Sequence, residues 1–519
     1  MNTGQSVRAG RREWVGLAVL ALACLLYVMD LTVLHLAVPA LSEDLRPTST
    51  QLLWIIDVYG FMVAGALVTM GTLGDRIGRR RLLLIGAAAF GAVSVLAAFS
   101  TTPEMLIVSR ALLGLAGATV APSTLSLIFH MFQDPKQRSL AVGIWIGAFS
   151  AGSAIGPVLG GLVLEAFWWG SVFLLALPVM GALLVLGPRV LPEYRDPNAG
   201  RLDLRSVAMS VGALLAIVAG LKQLAQDGPT TGAVLAIAAG VGVGTLWVRR
   251  QQRLAEPMID LALFRIRRFN AALVVNFLAL FVMIGYFLFI GQYLQLVAGM
   301  SPLHAGLWSL PGALGFVVSS QLAPRFAQRV KPANLVAAGL AAAAAGLFLL
   351  TTVQVGTGLT AIVVSSVVIS LGMGPVFGLT TEMIVGSAPA EKAGAASGIS
   401  ETAAELGGAL GIAVLGSIGA TIYRSGVAGG LPADVPAEAA HAARDTLGGA
   451  VSAAAHLPEP TAAVLVDVAR EAFVAGLQVT AAGAGVIAAA IAVVAAVALR
   501  DSGAQQQEAS EREAEPACC

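Results

Sequence analysis

Apolar residues occur along this chain in long runs, separated by short stretches that hold most of the charges. The runs are about twenty residues long and show no strict alternation of apolar and polar positions. They therefore predict membrane-spanning helices and exclude the strands of a barrel. We identify fourteen such windows, near residues 14–38, 51–71, 82–100, 104–126, 139–163, 170–188, 204–222, 231–248, 270–297, 304–323, 334–352, 357–385, 396–421 and 477–499. The predicted fold class is an all-α membrane protein.

The composition agrees with a chain that lies mostly in lipid. Its mean hydropathy is +0.83, and only 12% of its residues are charged, whereas roughly a quarter are charged in soluble proteins. The net charge of +1 predicts no general attraction to nucleic acid. No lysine is followed by Ser or Thr, so the phosphate-binding loop of an ATPase is missing, and the histidines lack the spacing of a metallohydrolase. We expect a protein that is not an enzyme and holds no metal or cofactor.

The basic residues predict how the helices cross the membrane. If the N-terminus is cytoplasmic, 25 of the 31 Lys and Arg residues fall in gaps on the inner side and 5 on the outer side. The remaining one, Arg110, lies within the fourth window. This asymmetry follows the positive-inside rule. It predicts a multi-pass protein of the bacterial inner membrane with both termini in the cytoplasm.

Basic segments also suggest how the chain is divided. We predict an N-terminal six-helix bundle over residues 1–190, two inserted helices with linkers over 191–269, and a C-terminal six-helix bundle over 270–500. Two related halves of this kind are common in secondary transporters. A long outer loop over 423–476 is rich in Ala and Pro and predicts a helical hairpin over the outer mouth, and the polar tail 501–519 predicts disorder.

Acidic residues within the windows are the strongest local indication of function, because a carboxylate at membrane depth is costly unless it faces a cavity or a partner. Asp30 lies in the first window, and Glu401 and Glu405 lie four residues apart on one face of the thirteenth. Two neighbouring carboxylates repel each other, so one of them is expected to hold an exchangeable proton. The alternative is that a protonated Glu only bonds a neighbouring helix.

A second acidic position combines a carboxylate with aromatic residues. Asp57 has Trp54 three residues before it and Phe61 four residues after it, so the three share a helix face, with Tyr59 close by. An anion beside aromatic rings suits a lipophilic cation.

Three sequence motifs resemble those of the major facilitator superfamily. The loop after the second window contains Gly71, Asp75, Arg76, Gly78 and Arg79, and the fourth window contains the buried-arginine motif around Arg110. The fifth window resembles the antiporter motif of exporters. Its glycines, four residues apart, allow close helix contact, while its proline predicts a bend. It comprises Gly152, Gly156, Pro157 and Gly160.

Within that superfamily the chain resembles the fourteen-span drug:proton antiporters, including multidrug pumps of the QacA and LfrA type. The resemblance rests on the segments 29–39, 54–59 and 398–408 and covers about residues 14–500. It implies the major facilitator fold, with two six-helix bundles plus two inserted helices. The chain departs from this family at two points. His35 stands where many relatives carry Asn, and the tenth window lacks the acid that is linked to divalent cations in QacA-like pumps. Transport of dications is therefore not expected.

The resemblance implies a proton-coupled antiporter that exports hydrophobic, mainly cationic drugs by alternating access. Proton coupling would fall to Asp30, Glu401, Glu405 and Arg110, and substrate binding to Asp57, Trp54, Tyr59, Phe61 and Glu405. The expected partners are small lipophilic cations, protons and membrane lipid, with the protein acting as a monomer. Two alternatives on the same fold remain open: a dedicated exporter of one antibiotic or metabolite, and a symporter.

Overall fold

The fourteen predicted windows all correspond to helices in the computed structural model, which describes residues 9–195, 203–228, 230–254, 263–356, 359–388, 393–431 and 435–499. The predicted tail 501–519 lies outside these ranges. We number the helices in chain order: α1 (Arg11–Leu45), α2 (Ser49–Ile77), α3 (Arg79–Ala98), α4 (Pro103–Gly117), α5 (Val120–Met131), α6 (Pro135–Ala166), α7 (Ser171–Leu174), α8 (Ala176–Val190), α9 (Leu204–Asp227), α10 (Thr231–Arg253), α11 (Arg267–Gln292), α12 (Pro302–Ala327), α13 (Pro332–Leu350), α14 (Thr360–Gly386), α15 (Ala393–Gly411), α16 (Ser417–Gly430), α17 (Ala437–Asp445), α18 (Leu447–Ala454) and α19 (Glu459–Ala498).

Within the described residues, eleven helical segments are long and apolar enough to cross a membrane. The other three windows lie in α6, α9 and α12, which have 32, 24 and 26 residues. Glycine and serine interrupt the apolar runs of all three helices, and α6 and α12 also contain proline. Their length is nevertheless sufficient, because about twenty residues span the hydrocarbon core.

The fourth window is broken into α4 and α5, which the sequence did not predict. Pro122 has no N–H to donate to a carbonyl four residues earlier, so a regular helix cannot continue through this point. The chain instead makes a tight turn, in which the Thr119 N–H donates to the Ala116 carbonyl at 3.1 Å. The break leaves Arg110 on the first of the two pieces.

The helices form two bundles with α9 placed between them. Helices α1–α8 pack together, as do α11–α16 with α19. α9 packs on α10, and it also contacts α2 of the first bundle and the π-helical turn 412–416 of the second. An apolar cluster joins the three elements and consists of Phe61, Val218, Ala409 and Ala413.

The segment before the last helix differs from the predicted loop. α16 continues to Gly430 and α19 already begins at Glu459, so only the residues between them form the connection. The reason is that Pro460 occupies the first turn of α19, where its missing N–H costs nothing and its fixed φ favours a helix. The first apolar stretch forms the predicted hairpin, whereas the second extends α19.

The hairpin, α17 and α18, covers one end of the bundles, which we call the hairpin end. Ser49 at the start of α2 donates a hydrogen bond to the Asp445 carbonyl. The Tyr423 hydroxyl donates to the Ala443 carbonyl at 2.6 Å. A Cβ on Gly448 would come within 2.7 Å of the Ser42 Cβ, which shows how closely α18 lies on α1. The hairpin thus contacts both bundles, and its placement over the outer mouth stays a prediction.

Candidate functional site

A buried ion pair lies in the first bundle. Arg110 on α4 is fully buried, and its Nη1 lies 2.5 Å from Oδ2 of Asp30 on α1. Its Nε donates to the Ile55 carbonyl on α2 at 3.2 Å. Burying two charges is costly unless they are paired and hydrogen-bonded. The structure therefore brings together two residues that the sequence placed 80 positions apart.

Aromatic rings surround the arginine. Its guanidinium carbon lies 4.6 Å from the ring centre of Tyr59 and 5.9 Å from that of Phe173. A cation near the face of a ring is attracted by its quadrupole, and desolvation strengthens the attraction. The Tyr59 side chain is fully buried, so in this conformation it supports Arg110 and presents no surface to a substrate. His35 lies close enough to interact electrostatically with Arg110.

The acidic pair of the thirteenth window lies on α15, in the second bundle. The Tyr27 hydroxyl on α1 donates to Oε1 of Glu405 at 2.5 Å, which joins the two bundles. Glu401 is close enough to Tyr27 and to Cys24 for its charge to act on both. Both carboxylates are partly buried. The two acids predicted from the sequence thus face α1 of the opposite bundle.

Opposite these carboxylates, the first bundle presents aromatic side chains that the sequence analysis did not identify. The ring centres of Trp145 and Phe149 on α6 are 4.6 Å apart, and Phe149 lies 6.1 Å from Tyr27. The Trp145 indole N–H donates to the Thr124 hydroxyl at 3.0 Å, which fixes the ring. Both α6 rings are only partly buried. Their spacing of four residues on the fifth window was the signal available in the sequence.

Asp57 lies on α2 and is 1% exposed. The ring centres of its predicted companions Trp54 and Phe61 are 6.5 Å apart. The Phe61 ring, however, is fully buried in the cluster with α9. The three residues share a region, as predicted, but Phe61 is not open to a cavity in this conformation.

The glycines of the antiporter-like motif bring α6 against α1. A Cβ on Gly152 would come within 3.2 Å of the Val28 Cβ, and one on Gly160 within 2.6 Å of the Val33 Cγ1. A Cβ on Gly156 would meet the Thr32 hydroxyl. Only glycine permits backbones to approach this closely. The predicted tight packing of this span is confirmed, and it positions Phe149 beside Tyr27.

The turn at residues 71–81 is fixed against the end of α8. Gly78 has a φ of +110°, which side-chain-bearing residues rarely adopt, and a Cβ there would come within 2.7 Å of the Glu193 Cδ. The Arg79 amide donates to the Tyr194 carbonyl at 3.0 Å, and its guanidinium donates to the Pro122 carbonyl at 3.3 Å. Arg76 is exposed, and the Asp75 side chain is not described. The basic turn thus connects the start of α3 with the segment that follows α8 and with α5.

Comparison with known proteins identifies the family. The model of the Major Facilitator Superfamily matches residues 20–412. The chain belongs to the major facilitator superfamily. It is 47% identical over 498 residues to the multidrug efflux pump LfrA of Mycolicibacterium smegmatis, covering 96% of this chain and 98% of that protein. It is 34% identical to the methyl viologen resistance protein SmvA of Salmonella typhimurium, covering 91% and 96%.

The fold of this superfamily member matches solved transporters. A crystal structure of a bacterial homologue of the human lysosomal transporter Spinster superposes with a TM-score of 0.66 at 16% identity, covering 95% of this chain and 98% of that one. The resemblance to fourteen-span multidrug pumps predicted from the sequence is confirmed, as is the major facilitator fold. The chain is therefore a multi-pass membrane protein of a transporter family.

Proposed function

We propose that this member of the superfamily is a proton-coupled antiporter that exports hydrophobic, mainly cationic drugs by alternating access. It works without a cofactor, as a monomer, in the cytoplasmic membrane of a bacterium. Both termini lie in the cytoplasm, and the hairpin end faces outward. The similarity to LfrA and SmvA, which are named for efflux and resistance, supports export.

One observation carries the proposal. Two carboxylates on α15, Glu401 and Glu405, lie opposite the partly exposed rings of Trp145 and Phe149 on α6. A lipophilic cation needs an anion for its charge and apolar or aromatic surface for its body. The same carboxylates can hold a proton instead. One site can thus accept either of the two species that an antiporter exchanges.

The buried pair of Asp30 and Arg110 supports a division of roles. It lies behind Tyr59, whose ring is 6.1 Å from that of Tyr27. Charges at this depth are rarely retained without a function. We assign Glu401 and Glu405 to direct binding of the proton and the cation. Asp30 and Arg110 then sense the charge at that site through the intervening tyrosines.

The proposal is tested by proton release from acidified inverted membrane vesicles. In these vesicles the exported cation moves into the lumen, so antiport carries protons out and the lumen becomes alkaline. We expect ethidium and tetraphenylphosphonium to cause this change, and vesicles lacking the protein not to show it. Movement of protons into the lumen would indicate symport. A response to a single compound of a broad panel would indicate a dedicated exporter.

Whether the protein also transports compounds with two positive charges is tested in the same assay with methyl viologen, a dication. The tenth window of this chain has no acid, so we expect a weaker response to methyl viologen than to the monovalent cations. SmvA, at 34% identity, is named for resistance to that compound. An equal response would show that the two carboxylates of α15 suffice for two positive charges.

The orientation is tested by labelling with a membrane-impermeant thiol reagent in intact cells. Ala437→Cys lies at the exposed start of the hairpin and should react. The native Cys24 is buried and should not react, and Cys518 and Cys519 are replaced by Ser in the tested protein so that labelling reports position 437. Failure of the exposed position to react in intact cells, with reaction in inverted vesicles, would reverse the proposed topology.

A further inference from the structure

The hydrogen bond between Tyr27 and Glu405 lies at an unusual place along the seam of the two bundles. Two other contacts across the seam are nearer the hairpin end. Gln295 donates to the Leu36 carbonyl at 3.0 Å, and a Cβ on Gly161 would come within 2.7 Å of the Pro302 carbonyl oxygen. Tyr27 lies nine residues before Leu36 on α1, which is about 13 Å along the helix axis. The bond therefore joins the bundles deeper than the contacts that close the hairpin end.

Few charged or titratable groups surround Glu405. Its own helix contributes Glu401, α1 contributes Tyr27, and α2 contributes Tyr59, with the pair of Asp30 and Arg110 behind it. α2 also carries the buried Asp57, and the other two helices packed on α15 carry Arg267, Arg268 and Tyr286 (α11) and Glu382 (α14). The Tyr286 hydroxyl is bound to Ser366, and Glu382 is exposed near the end of α14. Tyr27 is the hydrogen-bond donor that the described residues provide to the Glu405 carboxyl.

The strength of this bond depends on the charge of Glu405. A hydroxyl that donates to an ionised carboxylate makes a bond roughly twice as strong as one between neutral groups, with an O···O distance of about 2.5–2.7 Å. The observed distance of 2.5 Å is within the range of a hydrogen bond to either form of the carboxyl group. A proton on Glu405 removes the charge, and a bound cation competes for it. Either species therefore weakens the attachment of α15 to α1.

We propose that the bond from Tyr27 to Glu405 is a latch, which holds the carrier in this conformation while Glu405 is ionised and empty. This inference rests on the proposed antiport. Loading of a proton or a cation releases the latch and permits the bundles to reorient. An antiporter must not return empty, because an empty return lets the cation flow without proton exchange. Tyr27 is thus a positioning residue that enforces coupling.

The test separates net efflux from exchange, using purified full-length protein in liposomes loaded with tetraphenylphosphonium. Net efflux into cation-free buffer requires the carrier to return without cation, whereas exchange against external cation does not. In molecules whose hairpin end faces the lumen, this return starts from the conformation that the latch holds. In the parent protein, net efflux should fall as pH rises, because the protonated carrier becomes scarce. Exchange should not fall. Tyr27→Phe should raise the ratio of net efflux to exchange at high pH about tenfold, the effect of losing one charge-assisted hydrogen bond.

Two further variants make the result specific. Tyr286→Phe removes a hydroxyl whose partner, Ser366, lies in the same bundle, and the ratio should stay at the parent value. Glu405→Asp retains the charge but withdraws the carboxylate, so it should raise the ratio as Tyr27→Phe does. If neither Tyr27→Phe nor Glu405→Asp raises the ratio while the parent shows the expected pH dependence, the latch is refuted. If the parent's net efflux does not depend on pH, the proposed proton coupling fails and the latch with it.

Discussion

Removal of the positive charge from the buried ion pair should destabilise the protein strongly. In Arg110→Gln, the Asp30 side chain, which is only 9% exposed, loses its charged partner at 2.5 Å. Breaking a buried pair from one side costs about 3–5 kcal/mol. The variant also loses the bond to the Ile55 carbonyl and the contact with the Tyr59 ring.

The double variant Arg110→Gln with Asp30→Asn should be more stable than Arg110→Gln alone. Both groups are then neutral, and the remaining loss is that of ordinary hydrogen bonds, each contributing about 1 kcal/mol. For a bundle of roughly 200 residues, 1 kcal/mol corresponds to about 2–4 °C in melting temperature. We therefore expect the single variant to melt at least about 6 °C below the parent, and the double variant to recover part of this.

Thermal unfolding of the detergent-purified protein, followed by tryptophan fluorescence, measures these shifts. Arg250→Gln is a suitable control, because Arg250 pairs with Asp203 at 2.9 Å but its side chain is 34% exposed. Such a pair contributes at most about 1 kcal/mol. The reasoning is refuted if Arg110→Gln melts with the control, or if the double variant is the least stable of the series.

Three more outcomes can be measured directly. Glu405→Gln should abolish substrate-driven proton release in vesicles. Glu165→Gln, at the exposed end of α6, should leave proton release unchanged. Equal proton release from the two variants would exclude Glu405 from coupling. Trp145→Ala should reduce transport of planar ethidium several-fold more than Asp57→Asn does, because the partly exposed Trp145 ring offers a stacking surface whereas Asp57 is buried. A larger loss of transport in Asp57→Asn would place the substrate site at α2. Burial raises the pKa of Asp445, so docking of the hairpin should weaken as pH rises above the usual carboxyl value of about 3.9. Hydrogen exchange of the hairpin should show this trend, and Asp445→Asn should lose it.

The sequence predicted the number and positions of the spanning helices because long apolar runs have a single structural solution in lipid. It also predicted which intramembrane acids to examine, since charge is rare at that depth. It could not predict that Asp30 pairs with Arg110. That contact depends on how α1 and α4 cross, and no pattern within either helix encodes the crossing.

Aromatic residues were harder to interpret than acids. The sequence favoured Trp54 and Phe61 as a surface for cations, but Phe61 is enclosed by α9. Trp145 and Phe149 also share one helix face, four residues apart, and they are partly exposed. An aromatic pair on one helix face looks alike whether a neighbouring helix or a cavity covers it. Only the packing of the inserted helix distinguishes the two cases.

The position of α9 has a consequence for turnover. Under the proposed alternating access, α9 cannot follow both bundles when they separate. Each cycle would then break the contacts of Val218 with Phe61 or with Ala409 and Ala413. These contacts are apolar, and Ala409 lies one helical turn after Glu405 on α15. The size of the side chain at position 218 therefore affects the energy barrier to separating these helices. Under the proposed alternating access, a larger side chain at position 218 should slow the reorientation of the bundles.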